Sequence, residues 1–406
     1  MKRYLTFAVS LLPMSPALAQ QASSGSQNSD IVVTGQSLRQ TETALQECVA
    51  RRCPVDQDVA ATLRHAENQF VAGKYKDART TLLASVRRNK KADKQYPVLV
   101  ASLYRANGRV AAHLGEGESY RLSTISSLDA LRSGLPDNDP RVIAQRVEIG
   151  DMFANIGRID AAIGVYNQVV RDAHAANLPG IEGPARLRIA NIKVQAAQGS
   201  TLASNAAREA IAELDLLSQE SNTALAPYRF VAKLLKARLY ARHGDSGPFD
   251  TLIAELRTRP ALSSPVLLDA KPINLDDRTQ VRKSLDQNTL LTQSMTASIP
   301  TGDFEDQWID VSFLIKADGT VSDADVVRQS KEAVGPWSSA VLSSINSRRY
   351  APVSLAPNEP GLLRVERYTY TATIQDVSTE SRMRTRGTTP RIEMMDLTTD
   401  SSRAKS

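Results

Sequence analysis

The chain has 406 residues, 42% of them hydrophobic and 23% charged, with a formal charge of +6. That length bounds the protein to about two ordinary domains. The charge sits at the ends: Lys2 and Arg3 open the chain, and the segment from Val377 to Ser406 carries six basic and four acidic residues. The body is therefore nearly neutral, and without a basic stripe interleaved with aromatics a nucleic-acid surface is excluded.

Residues 1–19 read as a secretory signal. Lys2 and Arg3 form the basic start, Leu5 to Leu12 the apolar core, and Ala17-Leu18-Ala19 the cleavage site, with the cut after Ala19. The apolar run is shorter than the roughly 20 residues that span a bilayer, so no transmembrane segment is expected once the signal is removed. The predicted location is the periplasm. Residues 20–47, rich in Ser and Gln, predict a disordered leader. Within it stands a β-prone stretch, Asp30-Ile31-Val32-Val33-Thr34-Gly35-Gln36.

Cys48 and Cys53 are the two cysteines. An even pair in an exported chain predicts a disulfide. Positions five apart on a helix rise about 7.5 Å, beyond the Cα separation a bridge tolerates. The loop Val49-Ala50-Arg51-Arg52 should therefore leave regular helix.

A helical domain is predicted over residues 48–258. Val59, Leu63, Ala66 and Phe70 recur at helical spacing, as do Tyr75, Ala78, Leu82 and Val86 after Gly73. Gly73, Gly115, Gly157 and Gly199 follow one another at intervals of 42 residues (115−73, 157−115 and 199−157). A fixed period of that size signals stacked helical hairpins, each unable to hide its apolar face alone. Glycine suits the left-handed turn between two helices. Asp139-Pro140 is an N-cap followed by proline at the first helical position. Leu225 to Ala241 and Phe249 to Leu256 form a closing helix pair. Tyr104, Tyr120, Tyr166 and Tyr240 serve either as groove lining or as core. His65, His113, His174 and His243 are scattered and form no acid–base or metal set.

The residues Ala66…Gly73-Lys74-Tyr75-Lys76-Asp77-Ala78 and Gly150…Gly157-Arg158-Ile159-Asp160-Ala161-Ala162 resemble the tetratricopeptide repeat. The copy Gly108…Gly115 places Tyr120 where that family has Ala, and the copy at Gly199 has Ile192 and Ser204. The long period is similar to kinesin-light-chain-like arrays. The resemblance implies an α-solenoid whose groove binds a peptide or protein.

Residues 259–303 read as a linker interrupted by Pro260, Pro265, Pro272 and Pro300, with a short helix over 280–291 and an extra strand at Pro265-Val266-Leu267-Leu268. A β-rich domain is predicted over 304–376. Ile309, Val311, Phe313 and Ile315 alternate, Asp318-Gly319 makes a hairpin turn, and Val321 to Val327 returns. A helix carries Trp337, Ala340, Val341, Ser344 and Ile345 on one face, and a last strand runs from Leu363 to about Ile374. The order is strand, strand, helix, strand, a three-stranded sheet under one helix. Residues 377–406 predict a disordered tail.

Val311-Ser312-Phe313, Asp318-Gly319-Thr320-Val321, the helix after Trp337 and Arg349-Tyr350-Ala351-Pro352 resemble the C-terminal domain of TonB-type energy transducers. The resemblance implies that an open sheet edge takes up an extended peptide by strand addition. That edge would be the last strand, at Leu363, Val365, Arg367, Tyr368 and Tyr370. Residues 30–36 resemble the receptor-side peptide that transducers capture.

The fold class expected is thus a multidomain α and α+β chain, a TPR-like α-solenoid followed by a TonB-C-like β-β-α-β module. No Ser/His/Asp set, phosphate loop or metal spacing is present, so neither catalysis nor a cofactor is expected. The expected function is that of a non-enzymatic periplasmic adaptor. Its partners would be other envelope proteins, TonB-dependent receptors or the TonB system. The alternative is a structural envelope protein that self-associates as a homodimer through its C-terminal module.

Overall fold

The structure is a computed structural model and describes residues 36–258, 265–275, 304, 306–331, 333, 335–375 and 385–398. The signal at 1–19, the stretch Asp30 to Gly35 and the helix expected over 280–291 lie outside the described residues. The described chain divides into two compact units. One holds the residues up to Val110 and those from Glu118 to the end of the helices; the other holds Ala111–Gly117 and the residues after the helices.

The first unit is a run of helices: α1 (Leu38–Ala50), α2 (Val55–Val71), α3 (Tyr75–Asn89), α4 (Pro97–His113, its last turn counted in the second unit), α5 (Gly117–Gly134), α6 (Pro140–Asn155), α7 (Ile159–Ala175), α8 (Pro179–Ala197), α9 (Asn205–Ser218), α10 (Ala226–Arg242) and α11 (Gly247–Thr258). From α2 onward they pair as successive hairpins, a helical solenoid.

The local chemistry that ends each helix recurs. In a Schellman ending, a left-handed residue follows the helix and two amide N–H groups fold back onto its last carbonyls. Gly73, Gly115 and Gly157 stand at φ 78, 72 and 78°. The next amides donate back in the same pattern, Lys74 to Gln69, Glu116 to Ala111 and Arg158 to Phe153. Gly199 is also left-handed, at φ 85°, but its turn bonds differ, with Ser200 donating to Ala197. Asn177 and Gly244 make the same ending where the 42-residue spacing gave no signal.

Hairpins stack because each core draws on the next. Val142 of α6 packs with Val100, Leu128 and Leu131 of α4 and α5. Ile189 of α8 joins Ile143, Tyr166 and Val169 of α6 and α7. Tyr228, Ala232 and Leu239 of α10 join α8 and α9. Small residues set the spacing: a Cβ on Gly150 would fall 2.3 Å from the Tyr166 ring, so that ring rests on bare backbone. Polar contacts tie the first helices of successive hairpins. Arg105 donates to Gln145 (3.3 Å), and Arg188 clamps Asp151 (2.6 and 3.0 Å) while the Tyr166 hydroxyl donates to the same carboxylate (2.5 Å).

Two boundaries read from the sequence change. The expected disordered leader, 20–47, contains most of α1, because Ser37 and Gln40 form a capping box that starts a helix. The disulfide Cys48–Cys53 then bridges the end of α1, with a Cα separation of 5.2 Å. Helix persists to Ala50 and gives way at Arg52, which stands at φ 53°, and the Cys53 amide donates to the Cys48 carbonyl. The bridge therefore joins the two residues that a Schellman ending already brings together.

The second unit is α+β. Strands β2 (Trp308–Ile315), β3 (Val321–Gln329), β5 (Leu362–Gln375) and β6 (Thr385–Asp396) form an antiparallel sheet in the order β3-β2-β5-β6. β1 (Leu267–Asp269) pairs with β4 (Arg349–Tyr350), so the Pro265–Leu268 run of the linker does supply a strand. Helix α12 (Trp337–Asn346) covers one face. Its Trp337, Val341 and Ile345 pack on Ile309, Val311, Phe313, Ile315 and Tyr368. On the other face the turn Ala111–Gly117 approaches β5 and β6: His113 Nδ1 lies 2.8 Å from Thr369 Oγ1, and Arg391 donates to the Ala112 carbonyl (3.0 Å).

The expected tail over 377–406 is corrected by β6. Ile392 and Met394 alternate and lean on the α12 side of the sheet, where they cover Tyr368 and Tyr370. Of its apolar residues Ile392, Met394 and Met395, only the first two alternate, which is too little periodicity to announce a strand. The expected three-stranded sheet is thus four-stranded.

Candidate functional site: the sheet and its edges

β5 was the expected peptide-binding edge. In the structure β2 pairs along one side of it and β6 along the other, so β5 is central. From Val365 to Tyr370 its main-chain groups are spent in both ladders, while Leu362 to Arg364 pair with β2 alone among the described residues. The sites assigned to it scatter over two faces. Tyr368 and Tyr370 point toward α12, and Tyr370 is stacked between Trp337 and Phe304, with ring centres 5.5 and 5.1 Å away. Leu363, Val365 and Arg367 point to the opposite face. Leu363 is 45% exposed, Val365 half-buried and Arg367 fully buried.

Arg367 lies directly across the ladder from Asp310 and grips it in two bonds, Nε to Oδ1 at 2.6 Å and Nη2 to Oδ2 at 2.9 Å. Arg328 reaches the same carboxylate from β3 (2.7 Å), and the Arg367 guanidinium lies 4.0 Å over the Trp308 ring. Paired, bidentate geometry of this kind is what lets a charge remain buried. On the α12 side, Arg348 binds Glu366 (2.9 and 3.0 Å) and the hydroxyls of Tyr368 (2.6 Å) and Tyr350 (3.2 Å). Burial, followed by the adjacent Glu366 carboxylate, pushes the Tyr368 hydroxyl well above its ordinary range. Burial opposes the Arg348 charge, but Glu366 and the tyrosines outweigh it and raise its pKa. Both clusters are closed on themselves, which makes them supports of the sheet.

Sequence reasoning missed Asp310, Arg348 and Glu366. Asp310 and Arg367 occupy the polar phase of strands that alternate. That phase usually faces water, and only the pairing of residues 57 apart makes it a buried pair.

The outer edges are β3 and β6, with no further strand on either among the described residues. β3 is irregular: its pairing with β2 shifts register twice, and Asp323 stands at φ 52°. Such kinks blunt an edge. β6 is regular at its C-terminal half. The Tyr370 amide bonds toward β2 at Gln307, and the Leu397 amide bonds the Val365 carbonyl. The alternation then turns the main-chain groups of Pro390, Ile392, Met394 and Asp396 away from β5. Pro390 lacks an N–H, so the usable free edge begins at Ile392.

The histidines have structural partners. His65 meets Thr41 (3.0 Å), His174 meets Glu182 (3.3 Å), and His243 meets the carbonyls of Leu239 (2.7 Å) and Ser200 (2.6 Å). Burial, then the nearby Arg367 and Arg391, push His113 down to about 3. Tyr166 is core, whereas Tyr104, Tyr120 and Tyr240 are half-buried. Among the described residues no group of three or more His, Cys, Asp and Glu could hold a metal, and no helix is long and apolar enough to cross a membrane.

No family model matches the chain, and no curated protein matches it. Solved structures give similarities of fold. BtubC (BKLC) from P. vanneervenii is 12% identical, at a TM-score of 0.40, over 63% of this chain and 92% of that one. Two structures of a Podosopora anserina kinesin light chain with nearly identical TPR-like repeats are each 15% identical over 49% of this chain. They cover 92% and 93% of those chains, at TM-scores of 0.39 and 0.38.

Proposed function

We propose that this chain is a non-enzymatic adaptor of the periplasm, exported by the signal at 1–19 with a cut after Ala19, that holds other envelope proteins together. The observation that carries the reading is the pairing of a stacked helical array, which offers a long repetitive surface, with a small sheet that keeps a regular edge from Ile392 to Asp396. The likeness of residues 304–376 to the transducer C-terminal domain supports a link to TonB-dependent outer-membrane transport. Strand addition would then use β6, since the middle of β5 is already paired on both sides.

In-cell cross-linking of the full chain followed by mass spectrometry tests this. Outer-membrane receptors or other envelope proteins linked to peptides of α2–α11 or β6 are expected. Cross-links confined to copies of the chain, or a robust hydrolytic activity of the purified protein, would overturn it. The same free β6 edge favours a second reading, a structural envelope protein that self-associates edge to edge. Light scattering on the full chain separates the two, because a tight dimer abolished by Met394→Pro supports the second.

A further inference from the structure

The end of α3 and the chain after it carry a concentration of positive charge that folding does not use. Arg87 and Arg88 stand in the last turn of α3, Lys90 and Lys91 in the single 3-10 turn Lys90–Ala92, and Lys94 follows. All five are exposed. Arg88 is bound to Asp58 (2.6 Å). Arg87, Lys90, Lys91 and Lys94 have no carboxylate partner among the described residues, and Asp93 is the one acid within the run. A helix C-terminus carries roughly half a negative charge, which Arg87 and Arg88 already answer. Lys90, Lys91 and Lys94 are in excess of that need, and their mutual repulsion through water, weak as it is, is relieved when an anionic group lies over them.

Lys94 is also the rim of a concave feature. A groove of about 370 Å³ runs between the start of α4, the end of α5 and the start of α6, lined by Lys94, Tyr96, Pro97, Val98, Leu135 and Arg141. Its lining mixes the apolar Tyr96, Pro97, Val98 and Leu135 with Lys94 and with Arg141, which is paired with Asp139 (2.7 Å). The Lys94 backbone is seated close to α5: a Cβ on Gly134 would fall 2.6 Å from the Lys94 carbonyl oxygen. The lysine is therefore held at the groove by packing. The volume is at the low end for a ligand cleft, roughly 300–1,000 Å³, enough for one or two side chains.

We infer that this face of the helical unit docks an acidic peptide segment that carries an apolar anchor. The anchor fills the groove over Pro97 and Val98, and the flanking carboxylates lie over Lys90, Lys91 and Lys94. Lysines act as point charges and place few angular demands on a partner, which suits carboxylates on a flexible segment. The concave, partly apolar lining sets this surface apart from a flat polyanion or lipid contact. The inference rests on the adaptor reading and names one of its partner surfaces.

The test uses the full chain and a fluorescein-labelled peptide of alternating Glu and Leu, read by anisotropy, beside an all-Glu peptide of equal charge and vesicles containing anionic lipid. The Glu/Leu peptide should bind and lose about tenfold in affinity when salt rises from about 50 to about 300 mM. The triple variant Lys90→Glu, Lys91→Glu, Lys94→Glu should weaken it by at least about tenfold. Tyr96→Ala should weaken the Glu/Leu peptide and leave any all-Glu binding unchanged. Circular dichroism confirms that each variant is folded, and the single Lys94→Glu variant carries the test if the triple one is not. Equal binding of the two peptides, or vesicle binding with the same lysine dependence and no peptide binding, overturns the inference. So does the absence of binding at millimolar peptide. Cellular cross-links that persist in the triple variant would remove this site while leaving the adaptor reading in place.

Discussion

The two units reach order by opposite routes. In the helical unit the specification is short-range: left-handed turns end successive helices, Asp139 and Ser204 cap α6 and α9, and Gly150 and Gly183 let the rings of Tyr166 and Tyr228 come close. In the sheet unit, the decisive contacts join residues far apart in sequence: Asp310 with Arg367, Arg348 with Glu366, and β5 with β6. Damage to the helical unit should therefore be graded and local, because a solenoid's stability is close to a sum over neighbours. Damage to the sheet unit should be larger for a single residue and should spread.

The largest test of that contrast is Arg367→Met. Removing one partner of a buried pair leaves Asp310 uncompensated apart from the half-exposed Arg328. A loss of about 3–5 kcal/mol is expected, read as an early denaturant transition of the sheet unit with the helical transition unmoved. A cost below about 1 kcal/mol would mean that the pair adds little.

Acid tests the same face. His113 is depressed to about 3 in the folded chain against an ordinary 6.5, so the unfolded chain takes up its proton first. Its contribution is complete above pH 6.5 and is lost as pH falls from there toward 3. His113→Asn retains a partner for Thr369 and should flatten the acid limb of stability across that window. An unchanged limb would assign the acid sensitivity elsewhere.

Glycine substitutions compare equivalent positions. Gly115→Ala and Gly157→Ala share nearly the same left-handed strain, about 1–2 kcal/mol. A Cβ at 115 would also lie 2.2 Å from the Ala372 carbonyl oxygen, while at 157 it meets nothing. Thermal melts should show Gly115→Ala costing about 1–3 kcal/mol more, and equal costs would refute that close contact. Inside the helices, Gly150→Ala should destabilise by a similar amount against the Tyr166 ring. Gly164→Ala, with open space around it, should stabilise by up to about 1 kcal/mol.

The smallest effect belongs to the bridge. Cys48 and Cys53 close a short loop that hydrogen bonds already shape, so reduction should cost about 2 kcal/mol or less and be confined to α1. A collapse of the whole helical transition on reduction would show that α1 anchors more than its neighbour.

Much of this architecture was legible in advance because its causes are local. The 42-residue spacing located the turns, Asp139 caps α6 as expected, with its side chain accepting from the Arg141 amide (2.9 Å), and the alternation from Ile309 to Ile315 marked β2. The capping signal of Ser37 and Gln40 stands inside a Ser- and Gln-rich stretch whose composition resembles disorder. The edge was not legible. Whether Leu363 to Tyr370 borders solvent depends on what pairs with it, and β6 enters as a segment whose polar residues hide a few apolar ones.

The sequence by itself determined the helical hairpins, the hairpin of β2 and β3, the helix that covers them, and the pairing of the two cysteines, since each follows from periodicity, capping or short-range geometry. The tertiary structure decided the strand order, the burial of Arg367 and Asp310, and the placement of β6 at the outside of the described sheet. Strand pairing is satisfied by main-chain hydrogen bonds that every residue except proline can make, so the side-chain code along one strand does not say which strand lies beside it.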